Sequence, residues 1–227
     1  MSSPALDITM FRDEDVDDDT FSVAVDAIGN LADQLGTDSS ATSHGTRDGP
    51  DHNDYSDYLD ELEYRNIPGV HADFVPDGNQ GLLLYKRDLS SEVPAGASRS
   101  FFRSDDSCYA VANAYLMESS IGSESAFRNI VKHELLHSLM NGDDNCPGTH
   151  VSRSDDHSCG HVEESWFQAT ITPMATGYAL SLPGVDTNHP PSEFCGYEGD
   201  PSGSPNWTPD LSGCTESEAT RWLSDEY

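Results

Sequence analysis

The spacing of apolar residues follows two patterns along this chain, and each predicts its own kind of element. Residues 5–11 alternate between apolar and polar positions, which predicts a strand, whereas residues 21–35 carry apolar positions at helical spacing until Gly36. The polar residues 37–55 show neither pattern and predict a surface loop. A short acidic helix and three further strands are predicted at residues 55–64, 70–75, 81–86 and 109–117.

The clearest helical pattern covers residues 123–141. Its apolar residues would form a broad apolar surface, which predicts a buried helix, and Ser123 is the expected N-cap. A small mixed sheet with helices packed on it, leading into this helix, predicts an α+β fold. The apolar residues that recur every three or four positions are Phe127, Ile130, Val131, Leu135, Leu136, Leu139 and Met140.

Three ionisable residues stand on this predicted helix, in the sequence HELLH: His133, Glu134 and His137. A helix advances about 100° per residue, so two histidines four apart project from one face and can share a metal ion. Glu134 would lie at the open side of that metal, where a carboxylate can accept a proton from water without being a ligand. The alternative is an amphipathic helix with two histidines by chance. Buried ionisable groups without partners are costly, which favours a metal site.

A chain of 227 residues is long enough for one large hydrophobic core, and no internal repeat indicates a second domain. We therefore predict a single domain over residues 1–227. Its upper part, residues 1–141, would hold the sheet and the histidine-bearing helix. Its lower part, residues 142–227, would be rich in loops.

Charge narrows the range of partners. Asp and Glu number 41 against 11 Lys and Arg, which gives a net charge of -30. Such a chain repels nucleic acid and anionic membranes, so neither is an expected partner. The acidic residues are spread along the whole chain, and this composition resembles proteins of extreme halophiles, whose carboxylates hold water and cations at the surface. The alternative is an ordinary acidic protein.

Nothing in the sequence predicts a membrane span or a signal peptide, since no run of about 18 apolar residues occurs and the first residues are neither basic nor strongly apolar. We interpret the chain as a mature form that acts outside the cell or at its surface.

The five cysteines fit no CxxC metal pattern, and four follow the histidine-bearing helix in loop-like sequence. Disulfides are expected between Cys146 and Cys159 and between Cys195 and Cys214, with Cys108 left over. Five reduced thiols are the alternative.

Catalytic zinc uses three protein ligands and one open position, so a third ligand is expected downstream of His137. The candidates are Asp143, His150, His157 and His161. Further on, residues 171–178 predict a tight apolar turn that contains Met174.

A helix with HExxH, a later ligand and a later methionine turn resembles the metzincin clan of zinc metallopeptidases. The chain departs from that family's HExxHxxGxxH pattern, because Met140 stands in place of the glycine and Asp143 in place of the last ligand. Either Asp143 is the ligand or the loop is expanded and the ligand comes later. We prefer His157, because Asp156-His157-Ser158 is similar to the Asp-His-Ser triplet of the matrixin branch.

The resemblance implies a zinc-dependent endopeptidase with one catalytic Zn²⁺, acting on peptide or protein substrates; a monomer is assumed. His133, His137 and His157 would hold the ion, Glu134 would be the general base, and Met174 would lie beneath the site. The family's active-site tyrosine follows the methionine by two residues, whereas Tyr178 follows by four, so a core role is expected for Tyr178.

The resemblance also implies a C-terminal helix, predicted at residues 216–224 with Thr215 as its cap. Two other functions stay open. One is a non-catalytic zinc-binding or surface-interaction module, in which Asp143 or His161 would close the site as a fourth ligand. The other is a zinc amidohydrolase of another kind.

Overall fold

A five-stranded sheet, a three-stranded sheet and four α-helices form the part of the chain that the structure describes. The structure is a computed structural model, and it describes residues 5–47, 52, 54–64, 80–89, 95–100, 108–118, 123–140, 159–164, 168–175 and 204–226.

The larger sheet is mixed, as predicted. Its strands lie in the order β2-β1-β3-β5-β4, and neighbours run parallel except for the antiparallel pair β4 and β5. The strands are β1 (Ala5–Asp13), β2 (Asp38–Arg47), β3 (Gln80–Tyr85), β4 (Gly96–Ser100) and β5 (Cys108–Asn113).

The four helices are α1 (Asp18–Leu35), α2 (Tyr55–Tyr64), α3 (Glu124–His137) and α4 (Gly213–Glu226). The end of α1 at Gly36 is confirmed: this residue is left-handed, with φ of 65°, and its amide bonds back to the last turn. The first turn of α1 is capped by Asp17, whose carboxylate accepts a 2.7 Å hydrogen bond from the amide of Thr20. None of these helices is both long and apolar enough to cross a membrane.

Helices cover both faces of the larger sheet. The strand β3 alternates between the two sides: Leu82 and Leu84 belong to the core under α1 and α3, whereas Leu83 and Tyr85 pack with α2. Parallel strands covered on both faces are apolar at nearly every position, which explains the unbroken run Leu82-Leu83-Leu84. The sheet thus holds α3, with its histidines, on the same side as α1.

Two strands of this sheet were not predicted. Residues 37–55 were predicted as loop, but β2 lies there and pairs parallel with β1. β4 lies between the strands predicted at residues 81–86 and 109–117, where no element was predicted. Both are edge strands of the described sheet, so backbone pairing with one neighbour holds them and they need little apolar sequence.

The other predicted elements of the larger sheet meet mixed outcomes. The strands at residues 5–11 and 81–86 and the helix at 55–64 are confirmed. The strand predicted at 109–117 ends at Asn113, whose side chain accepts a 3.1 Å hydrogen bond from the amide of Tyr115 and starts a 3₁₀ turn, Ala114–Met117. The strand predicted at 70–75 lies outside the described residues.

A second sheet follows α3 in the chain. Its strands β6 (Val162–Glu164), β7 (Gln168–Ile171) and β8 (Ser204–Trp207) lie in that order. The predicted C-terminal helix is present as α4, but it begins earlier than expected. Ser212, not Thr215, is its cap, because the Ser212 hydroxyl accepts a 3.0 Å hydrogen bond from the amide of Thr215.

The predicted Cys146–Cys159 disulfide is wrong. Cys159 is a buried thiol outside any disulfide, and it lies in the main core with Val162 and Met174. There it packs as a small apolar side chain. Cys214 is disulfide-bonded, but Cys195, the partner predicted for it, lies outside the described residues, so that pairing stays a prediction.

Candidate metal site

The helix α3 begins where the sequence predicts. The Ser123 hydroxyl accepts a 3.1 Å hydrogen bond from the amide of Ala126, which caps the first turn. The helical hydrogen bonding ends at His137, although the predicted stretch ran to residue 141, and Leu139 and Met140 stay buried beyond the helix. α3 packs against α1, β4, β5 and the 3₁₀ turn Pro173–Ala175.

Three side chains of α3 come together at its last two turns. One ligand atom each from His133, Glu134 and His137 lies within 4.8 Å of the others. His133 and Glu134 are buried, and His137 is half-buried. The two imidazole rings meet edge to face, with centroids 4.7 Å apart, and their Nε2 atoms are 3.1 Å apart.

This donor set fits a zinc ion. Two corners of a tetrahedron with Zn–N bonds of about 2.0–2.1 Å are roughly 3.3 Å apart, close to the observed separation of the two Nε2 atoms. The adjacent carboxylate of Glu134 adds negative charge beside the two nitrogens. The cluster is therefore compatible with metal binding.

A backbone carbonyl fixes the orientation of the first histidine. The Nδ1 atom of His133 lies 3.0 Å from the carbonyl oxygen of Pro173. A carbonyl only accepts, so we assign the proton of neutral His133 to Nδ1, which leaves the Nε2 lone pair directed at the cluster. This is the arrangement that a metal-ligating histidine requires.

A second contact ties the same helix face to the same segment. One turn before His133, the buried Asn129 donates a 3.2 Å hydrogen bond from Nδ2 to the carbonyl oxygen of Ile171. Neither Asn129 nor Pro173 was among the site residues predicted from the sequence. The signal for Asn129 was a polar residue four positions before His133, on the same helix face, whereas nothing in the sequence marked the carbonyl of Pro173.

The third ligand cannot be placed among the described residues. His157, Asp143 and His150 all lie outside them. His161 is described: its amide donates a 2.8 Å hydrogen bond to the Thr172 hydroxyl, and its carbonyl accepts a 3.1 Å hydrogen bond from the Thr172 amide. Within the described part of the chain, the cluster of close ligand atoms does not include the His161 ring.

The segment after β7 brings Met174 into the core. Met174 is fully buried in the 3₁₀ turn Pro173–Ala175, whose first residue contacts His133. A methionine turn beneath the metal stays a prediction. Tyr178 lies outside the described residues, so its expected core role is likewise a prediction.

Lys132 precedes His133 in the sequence, and its buried side chain is directed toward α1. Its ammonium group donates hydrogen bonds to the side-chain oxygen of Asn30 on α1 and to the carbonyl of Pro209. Burial lowers the pKa of Lys132 to about 8. Gln34 joins the same network by donating to Asn30 and Pro209 and accepting from the amide of Leu211. These bonds connect α3 to α1 and to the segment that precedes α4.

The negative charge of Glu134 affects Tyr85, the last residue of the central strand β3. Burial, and after it the charge of Glu134, raises the pKa of Tyr85 above its ordinary range. Tyr85 stacks on Tyr58 of α2, with ring centroids 4.8 Å apart. The Tyr85 phenol therefore keeps its proton to higher pH than an exposed tyrosine does.

No protein-family model matches this chain. No curated protein matches it. Among solved structures it is similar to a zinc-dependent peptidase from Methanocorpusculum labreanum, with 16% identity and a TM-score of 0.42 over 63% of this chain and 85% of that one.

The chain is also similar to metalloproteinase-II from Bacteroides fragilis, with 15% identity and a TM-score of 0.43 over 60% of this chain and 42% of that one. A chain in a chaperone–substrate complex gives 11% identity and a TM-score of 0.49 over 98% of this chain and 36% of that one. This protein thus spans less than half the length of the second and third structures. Likenesses at these scores carry no argument about function, which rests on the residues of the site.

Proposed function

We propose that this chain is a zinc-dependent endopeptidase, in which His133 and His137 hold the ion and Glu134 is the general base. One observation carries the proposal: two imidazole Nε2 atoms lie 3.1 Å apart beside a buried carboxylate. His157 is the third ligand we propose, with Asp143 as the alternative, because zinc favours histidine nitrogen.

The bound ion would supply Lewis acidity to the scissile carbonyl and make a water molecule acidic enough to lose a proton near neutral pH. Glu134 is buried next to the two histidines, so its carboxylate can accept that proton and pass it to the leaving amine. The Pro173 carbonyl keeps His133 in the tautomer whose Nε2 faces the site.

The edge of the larger sheet supports an extended peptide as the substrate. The amide of Asn113 donates a 2.8 Å hydrogen bond to the carbonyl of Ala95, so alternate residues of β4 have their backbone groups directed away from β5. By this alternation, the backbone amides and carbonyls of Gly96 and Ser98 point to the outer side of β4. Gly96 also lies against Glu134. A peptide that paired with this edge as an added strand would pass beside the general base.

We also propose that the protein is active in concentrated salt outside the cell. A net charge of -30 on 227 residues makes the folded chain repel itself in dilute buffer, and molar salt screens that repulsion. The disulfide at Cys214 supports an oxidising compartment.

Metal analysis of the purified chain, together with cleavage assays at molar salt, tests the proposal. We expect one zinc per chain, cleavage of casein, and loss of cleavage in Glu134→Gln with zinc retained. Glu216→Gln, which removes the same charge from an exposed position on α4, is the matched control and should cleave as the wild type does.

Three outcomes would contradict the proposal. Unchanged activity in Glu134→Gln would remove its role as base. Cleavage of small amides without cleavage of casein would favour an amidohydrolase. One zinc with no turnover would favour a binding module whose site is closed by a fourth protein ligand.

A further inference from the structure

The edge strand β4 touches the candidate general base at a residue without a side chain. A Cβ atom built on Gly96 would lie 2.6 Å from Oε1 and 2.8 Å from Cγ of Glu134, and 2.8 Å from Cγ2 of Ile130. Real Cβ atoms do not approach other heavy atoms this closely. No side chain therefore fits at position 96 while Glu134 keeps its place.

The register of the sheet explains why position 96 faces α3. Gly96 is paired with Ala112 and Ala97 with Val111. Ala112 belongs to the core under α1 and α3, whereas Val111 packs with α2 on the other side. Directly paired residues of antiparallel strands share a face, so a side chain at position 96 would point at α3.

The glycine is needed here for space, not for backbone conformation. The glycines with positive φ among the described residues are Gly36 and Gly45, so the backbone of Gly96 is one that other residues adopt. An alanine at position 96 would be acceptable to the strand itself. What it would disturb is the Glu134 side chain and, to a lesser extent, Ile130.

We propose that Gly96 is a positioning residue for Glu134: the bare backbone of β4 closes one side of the carboxylate and keeps it beside His133 and His137. The inference rests on the proposed function, since it names what holds the general base of that reaction. To reach an ordinary contact of 3.4 Å from a methyl group at position 96, Oε1 would have to move by about 0.8 Å (3.4 minus 2.6). A misplacement of about 1 Å can cost a hundredfold in rate.

A double-mutant cycle on the metal-free protein tests the contact without any assay of activity. The variants are Gly96→Ala, Glu134→Ala and the two together, and the readout is the melting temperature in the presence of a chelator. We expect Gly96→Ala to lower the melting temperature, and to lower it much less when Glu134 is already alanine, because two of the three short contacts then vanish.

Gly29→Ala is the matched control, because a methyl group there meets nothing within 4 Å. Its effect should be the same with and without the Glu134 side chain. An equal effect of Gly96→Ala in both backgrounds would overturn the contact. If Gly96→Ala does not fold, folding of the double variant supports the inference, and failure of both to fold overturns it.

Kinetics then test the positioning. In Gly96→Ala we expect kcat to fall about a hundredfold, with zinc content and KM close to those of the wild type. A folded, zinc-loaded Gly96→Ala with wild-type kcat would overturn the proposal.

The two kinds of failure are distinguishable. If the wild-type protein with zinc cleaves no peptide, the proposed function fails, and the melting-temperature cycle still decides whether Gly96 and Glu134 constrain each other.

Discussion

The Nδ1 atom of His133 lies 3.0 Å from the carbonyl oxygen of Pro173, 40 residues further along the chain. On the other side of the same ring, Nε2 lies 3.1 Å from Nε2 of His137. A backbone oxygen thus decides which ring nitrogen of His133 carries its proton, and the other nitrogen is left for a metal.

The tautomers of the two histidines in the metal-free protein follow from these contacts. We expect neutral His133 to carry its proton on Nδ1, donated to Pro173, and His137 to carry its proton on Nε2, donated to Nε2 of His133. Long-range ¹H–¹⁵N correlation spectra of the ¹⁵N-labelled protein in chelator, above the histidine titrations, measure both. A proton on Nε2 of His133 would contradict the assignment, and His133→Ala identifies its signals.

The third zinc ligand is predicted from sequence alone, since both leading candidates lie outside the described residues. We expect His157→Ala to lose zinc on dialysis against buffer, because two histidines alone hold the ion weakly. Asp143→Ala should keep it. His44→Ala, on the edge strand β2, controls for loss of a histidine elsewhere. Zinc loss in Asp143→Ala with retention in His157→Ala would move the ligand to Asp143.

Lys132 should make stability depend on pH in the alkaline range. Burial lowers its folded-state pKa to about 8, below the unfolded value of about 10.4. Between these values the unfolded chain binds more protons, so the contribution of Lys132 to the free energy of unfolding rises with pH through this window. Below pH 8 the cost of burying the charge is fully present.

Urea unfolding of the wild type and of Lys132→Met at several pH values from 7 to 10 measures this contribution, because groups common to both proteins cancel. We expect the free energy of unfolding of the wild type to rise relative to that of the variant as pH rises above 8. Lys86→Met removes a lysine that is ion-paired with Glu118 at 2.6 Å near the rim of the sheet, and it controls for loss of positive charge. A constant difference between wild type and Lys132→Met would contradict the prediction.

Salt should stabilise the folded chain. The net charge of -30 disfavours the compact state, and molar salt reduces the range of that repulsion to about 3 Å. We expect the melting temperature to climb steadily as KCl rises into the molar range. Sucrose at equal osmolality controls for exclusion effects that do not depend on charge. A melting temperature that does not change with KCl concentration would contradict salt adaptation.

Some elements could be predicted because their determinants are local. Gly36 at the end of α1 and Ser123 at the start of α3 mark these two boundaries in the sequence itself. The start of α1 was predicted too late, at residue 21, whereas Asp17 caps the helix. The edge strands β2 and β4 could not be predicted in this way. Backbone pairing with β1 and β5 stabilises them, and that pairing leaves no apolar period in their own sequences.

The sequence by itself determined that His133, Glu134 and His137 share the end of one buried helix, because the helical repeat of 3.6 residues is a local property of the chain. Only the tertiary structure decided what surrounds them. The Pro173 carbonyl at His133, the Ile171 carbonyl at Asn129 and the bare backbone of Gly96 at Glu134 all come from segments distant in sequence. Sheet register and the packing of α3 against its neighbours set those contacts, and neither has a local signature in the residues that make them.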